Sequence, residues 1–126
     1  MMLWLERQGC HNINLVTPSH VVPQILAGLC IAKTNIPIVY NSSGYDGLAA
    51  LKLLDGVVDI YMPDIKYSSN DVAEHYSSAT NYWDVVRPAI KEMYRQVGLL
   101  EVAPDGVGRR GLIIRHMVLP GGLSGT

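Results

Sequence analysis

An acid and a base stand two positions apart where a buried strand is expected to end. Val57–Met62 is mostly apolar and predicts that strand, and Asp64 and Lys66 follow it in the stretch YMPDIKYS. Strand residues two positions apart share a face. A buried charge is costly unless it is paired or used. The two side chains therefore form an ion pair that only ends the strand, or they hold both ends of a zwitterionic ligand; the residues alone favour neither.

Polar residues also follow the other strands that the sequence predicts. Ligands of parallel α/β folds bind at the carboxyl ends of the strands, so we expect these residues to converge on one pocket. Because neighbouring strand residues alternate between faces, at most one of Arg115 and His116 points into it. In chain order the candidates are Thr17, Ser19, Asn41, Ser42, Asp64, Lys66, Arg115 and His116.

Most of these segments also have a purely structural interpretation. Asn, Ser and Gly favour turns, so NSSG at 41–44 is typical of a turn as well as of a ligand-facing loop. A lone Arg or His at a strand end is often a surface residue or one satisfied by hydrogen bonds. His11, His20 and His75 are not spaced as metal ligands.

The elements that must position the candidates alternate between strand and helix. Helices are predicted to begin near Val22, after a cap at Asp46, near Asn70 and near Asn81; Pro88 either kinks the last or delays its start. A hairpin of 99–102 against 109–112 surrounds the turn signal APDG. This alternation predicts βαβ units and a parallel sheet of about four strands in one α/β domain, with the helices on one face if the sheet curves into a barrel. The strands are expected at 12–17, 36–44, 57–66 and 112–119.

Composition excludes several classes of function. The chain has 126 residues, 48% of them hydrophobic, and a formal net charge of -1, so we do not expect a nucleic-acid partner. No apolar run reaches the roughly 20 residues that span a bilayer, and Glu6 and Arg7 interrupt any leader-like start, so a cytoplasmic protein without a membrane partner is expected. Cys10 and Cys30 are expected to be reduced thiols.

Four segments together resemble the radical S-adenosylmethionine (SAM) proteins of the pyruvate formate-lyase activating enzyme type, with most similarity to uncharacterised iron–sulfur homologues of that enzyme. They are QGCHNINLVTPSHVVPQI, IPIVYNSSGYD, DGVVDIYMPDIKY and RRGLIIRHMVLPGG. The resemblance implies a partial (β/α)6 barrel and a [4Fe–4S] cluster that binds SAM through its amino and carboxylate groups. It also implies reductive cleavage of SAM to methionine and a 5′-deoxyadenosyl radical. In activating enzymes that radical takes hydrogen from a glycine of a partner glycyl radical enzyme, and a flavodoxin or ferredoxin is the electron donor.

The same resemblance implies roles for the strand-end residues. NSSG resembles the family's DTNG, which places Asn41 and Ser42 near the methionine end of SAM. MPDIK resembles MLDLK, so Asp64 and Lys66 face SAM and Lys66 reaches its carboxylate. Thr17 and Ser19 stand where related enzymes carry a GGE segment. Arg115 and His116 lie on a strand near the site, with their roles open.

The family's CxxxCxxC cluster motif is absent, and Cys10 belongs instead to QGC. Such a cluster needs at least three thiolates, so we assign no metal ligand and expect 1–126 to be a single incomplete radical SAM core domain from a partial sequence. Two alternatives remain. Lys66 forms a Schiff base with a carbonyl substrate, with Asp64 as its acid–base partner. Or the chain is a truncated, non-catalytic fragment that binds SAM or a partner.

Overall fold

The strands follow one another in space nearly as they do along the chain. The computed structural model describes residues 1–125, so Thr126 of the predicted domain lies outside it. β1, β2, β3 and β5 lie side by side and parallel, β4 pairs antiparallel with β5, and β6 pairs parallel with β3. The prediction of a mixed α/β fold with a mostly parallel sheet is confirmed. The strands are β1 (Ile13–Val16), β2 (Ile38–Ser42), β3 (Ile60–Ile65), β4 (Glu101–Val102), β5 (Gly108–Leu112) and β6 (Arg115–His116).

Helices connect the parallel strands. Ser69 caps α4, since its hydroxyl accepts from the Val72 amide at 3.2 Å. α5 contains Pro88 and ends at Gly98, whose φ is +73°. The helices are α1 (Met2–Arg7), α2 (Val22–Ala32), α3 (Leu48–Leu53), α4 (Asn70–Ser77) and α5 (Tyr82–Val97), with 3-10 turns at Pro18–His20 and Pro120–Gly122. None of the helices within residues 1–125 combines the length and apolar character needed to cross a bilayer.

The two faces of the sheet have different surroundings. Residues paired in register share a face, and the row that runs from Tyr40 through Tyr61 to Leu112 packs under α2, α3 and α5. Tyr61 is fully buried, and its hydroxyl donates to Gln96 Oε1 at 2.6 Å. Val39 and Ile60 lie on the opposite face, which continues past them to the strand ends. The helices thus cover one face and leave the other for a site.

The fourth main strand lies elsewhere than the predicted 112–119. Pairing with β3 begins within β5, where Ile60 faces Gly111, and resumes in β6, where Asp64 faces Arg115. The second strand of the hairpin is therefore itself part of the parallel sheet. β3 ends at Ile65, so residues 117–119 have no β3 partner and leave the sheet.

Two smaller expectations are also corrected. The strand predicted at 57–66 begins only at Ile60, and Val58 lies in the helix-side core. Asp46 does not cap α3: the N-cap position is Gly47, and no side chain there accepts a hydrogen bond. Asp46 is buried and bonded elsewhere.

Candidate functional site

A cleft of about 340 Å³ lies at the carboxyl ends of the parallel strands. It brings together the ends of β1, β2, β3 and β6, which are far apart in sequence. Parallel strands end at one edge of a sheet, so this convergence follows from the topology. The lining includes six of the eight predicted residues: Thr17, Asn41, Ser42, Asp64, Lys66 and Arg115, together with Val16 and Ser43.

Arg115 joins the polar side chains of the cleft. Its Nε donates to Asp64 Oδ1 at 2.7 Å, and its Nη2 donates to Asn41 Oδ1 at 2.8 Å. A guanidinium can serve two acceptors because its N–H donors have a fixed, planar arrangement. The register explains the contact with Asp64, since the two residues pair across β3 and β6. One side chain thus connects three strands.

The cleft carries more positive than negative charge. Lys66 Nζ lies 3.8 Å from Asp64 Oδ2, so both oxygens of this carboxylate face cations. Two cations against one carboxylate give the side chains that line the cleft a charge of +1, and the Asp46 carboxylate lies buried behind them. The side chains are partly exposed, so these pairs contribute little to the free energy of unfolding. The arrangement favours a ligand with an anionic group.

Ser19 and His116 do not line the cleft. The Ser19 hydroxyl donates to Asp46 instead. His116 alternates with Arg115 on β6, and its Nδ1 donates to the Ile65 carbonyl at 2.8 Å. His116 borders a neighbouring hollow of about 300 Å³ that it shares with Asp64, Arg115 and Met117. Of the two adjacent residues, Arg115 is therefore the one that enters the cleft.

A buried carboxylate that the sequence indicated only as a helix cap lies behind the cleft. Asp46 is 2% exposed and accepts hydrogen bonds from three hydroxyls: Ser19, Tyr40 at 3.0 Å and Ser42 at 2.6 Å. Burial, with the Asp46 charge beside it, raises the pKa of Tyr40 above its ordinary range. The available signal was an acid four residues after Ser42, which ends β2; nothing local in the sequence connects Asp46 with Ser19, 27 residues away.

Backbone segments from different strands approach each other closely at the cleft. Gly44 has a φ of +77°, and a Cβ built there would lie 2.6 Å from the Asp64 carbonyl oxygen. Only glycine fits such a contact without a shift of the backbone. Thr17 also has a left-handed conformation, with a φ of +54°, and its amide donates to the Asn41 carbonyl at 2.8 Å. The loops after β1 and β2 are thereby held against their neighbours.

The residues present do not fit an iron–sulfur cluster. Cys10 lies before β1, at the edge of the sheet opposite the cleft, and Cys30 lies in α2. In the part of the chain that the structure describes, no three His, Cys, Asp or Glu residues are grouped as a metal site requires. Cluster ligands cannot come from the cleft residues.

Comparison with known proteins gives a similarity over most of the chain. No protein-family model matches the chain, and no solved structure matches it significantly. The chain is 34% identical over 117 residues to the uncharacterised protein MJ0674 of Methanocaldococcus jannaschii. The matched segment is 91% of this chain and 30% of that relative, so the chain spans about 30% of the relative's length.

Proposed function

We propose that this chain is the SAM-binding portion of a radical SAM enzyme of the activating type. One observation carries the proposal: residues from four motifs that resemble that family line a single cleft. The barrel is part of the same proposal. It is supported by four parallel strands in near-sequential order and by helices packed on one face of the sheet.

The cleft chemistry suits the amino-acid end of SAM. That end carries a carboxylate and an ammonium group two bonds apart. Lys66 and the free donors of Arg115 are the partners for the carboxylate, and Asp64 is the acceptor for the ammonium. Thr17 and Asn41 supply further polar groups at the rim. Each charged group of the zwitterion would thus have a partner of opposite charge in the cleft.

The cluster and the partners belong to the proposal for a whole enzyme. A [4Fe–4S] cluster would take its thiolates from residues outside 1–126, because this chain has two cysteines. We therefore assign no chemical step to these residues. A glycyl radical enzyme, a flavodoxin or ferredoxin and a cytoplasmic setting are the expected partners and location of the whole enzyme.

The Schiff-base alternative has less support. A lysine nucleophile is activated by removal from water and from its counter-ion. Lys66 lies 3.8 Å from Asp64 Oδ2, and about a third of its side chain is exposed. Incubation with a carbonyl substrate and borohydride should therefore leave no adduct at Lys66, which mass spectrometry checks.

Calorimetric titration of the 126-residue chain with SAM tests the main proposal. Lys66→Ala and Arg115→Ala each remove a charged hydrogen bond to the ligand, so we expect each to weaken SAM binding about tenfold or more. Lys52→Ala is the matched control, since Lys52 is exposed on α3, outside the cleft. Circular dichroism confirms that each variant folds. Failure of the folded chain to bind SAM, or equal affinity in all variants, would contradict the proposal.

A further inference from the structure

We propose that Asp46 is a positioning residue that holds two loops of the cleft in place. This role rests on the proposed function only where SAM affinity is used to test it. Asp46 does not touch the cleft, because it is buried behind it. Its three hydroxyl partners come from the turn after β1 and from β2. One carboxylate thus ties together the segments that carry Thr17 and Asn41.

A path of contacts leads from Asp46 to the charged side chains. The Ser42 hydroxyl donates to Asp46 Oδ2 at 2.6 Å and accepts from the Gly44 amide at 3.2 Å. Gly44 packs directly against the backbone of Asp64. Asp64 in turn holds Arg115 and Lys66. Asp46 therefore fixes the loop against which the acid of the cleft is seated.

The chemistry of the contacts requires a carboxylate. Oδ1 accepts from two hydroxyls and Oδ2 from a third, and an ionised carboxylate is acceptor-only. Asparagine has the same shape but only one acceptor oxygen. Its NH₂ group would face either Ser42 or the pair formed by Ser19 and Tyr40. In the first case the buried Ser42 hydroxyl would lose its acceptor. In the second case the buried Tyr40 hydroxyl would lose its contact with Asp46 and keep only the longer one to Ser19 Oγ at 3.4 Å; either loss is costly.

Asp46→Asn is therefore the diagnostic variant, since it changes hydrogen bonding without opening a cavity. We expect amide exchange to rise about tenfold or more in segments 17–20 and 42–46, and SAM affinity to fall about tenfold. Asp59→Asn is the matched control. Asp59 accepts from the Ile38 amide at 2.8 Å at the opposite edge of the sheet, so this change should leave both segments and SAM affinity unchanged.

Two serine variants separate the arms of the contact network. Ser19→Ala should raise exchange in 17–20 only, and Ser42→Ala in 42–46 only, because each breaks one connection to Asp46. Unchanged exchange in Asp46→Asn, or a rise spread evenly over the sheet, would overturn the proposal. If the wild-type chain binds no SAM, the proposed function fails, yet the exchange pattern alone still decides the role of Asp46.

Discussion

Gly44 is the residue at which the shape of the cleft depends most directly on backbone geometry. Two separate demands fall on it: a left-handed φ of +77°, and a contact with the Asp64 carbonyl that leaves no room for a Cβ. The first demand penalises any side chain moderately. The second requires the loop after β2 or the end of β3 to move. A substitution here acts on the fold and on the cleft together.

Gly44→Ala should lower the free energy of unfolding by about 2–4 kcal/mol, the sum of the conformational penalty and the overpacking cost. Gly56→Ala is a matched control, since Gly56 has a φ of +76° but open space where a Cβ would stand. We expect it to cost only about 1 kcal/mol. Urea unfolding measures both. An equal loss of unfolding free energy in the two variants would show that the contact with Asp64 does not contribute to the cost of Gly44→Ala.

Strand alternation and strand ends were enough to predict much of the cleft. Asp64 and Arg115 are near strand ends, and their positions follow from parallel pairing alone. Ser19 and Asp46 lie in loops, where side-chain direction depends on turn geometry that no periodicity encodes. His116 differs from Arg115 only in parity, which the sequence left open because the strand's start was not known.

Among the elements, β2 and β3 carry the tyrosines that define the core. Tyr40 and Tyr61 pack edge to face, with ring centroids 5.6 Å apart, and both are fully buried. Burial raises the pKa of each phenol above its ordinary value near 10, and it raises that of Tyr82 on α5 as well. The folded chain therefore keeps protons that the unfolded chain releases.

Stability should accordingly be intact below pH 10 and fall as the pH rises above it. The folded state binds more protons there, so each such tyrosine lowers the free energy of unfolding by about 1.4 kcal/mol per pH unit. Urea unfolding between pH 9 and pH 11 measures the slope. Tyr61→Phe removes one of these titrating phenols, so the free energy of unfolding should fall less steeply with pH by the contribution of one tyrosine. The same substitution also removes the hydrogen bond to Gln96. A flat profile above pH 10 would contradict this expectation.

The existence of the elements was easier to predict than their limits. β1, β2 and β3 come from apolar runs with clear ends, and α5 from its helical spacing, which persists through Pro88. The hairpin was expected, but its second strand merges with the main sheet. The backbone of residues 99 and 100 occupies the space where a Cβ of Gly111 would stand, and Gly111 has a φ of +126°. Such a long-range approach leaves no local pattern in the sequence.

At the scale of the whole molecule, the number of cysteine thiols decides whether residues 1–126 can hold an iron–sulfur cluster. Cys10 and Cys30 are the two cysteines of the chain; Cys10 lies in the loop before β1 and Cys30 in α2, and neither lines the cleft. We predict that anaerobic reconstitution of purified 1–126 with iron and sulfide gives no stoichiometric cluster. Absorbance in the thiolate-to-iron charge-transfer region and iron analysis check this. One [4Fe–4S] cluster per chain would contradict it.

The break between β5 and β6 fixes which side chain stands over the cleft. Ile113 and Ile114 interrupt the strand, yet the pairing with β3 resumes in the same register. Deletion of one of these two residues would seat His116 opposite Asp64 and turn Arg115 toward the helices, since a one-residue slip exchanges the faces. The number of residues between β5 and β6 therefore determines which side chain faces Asp64. A change in length, with no substitution, would replace a permanent guanidinium charge over the cleft with an imidazole.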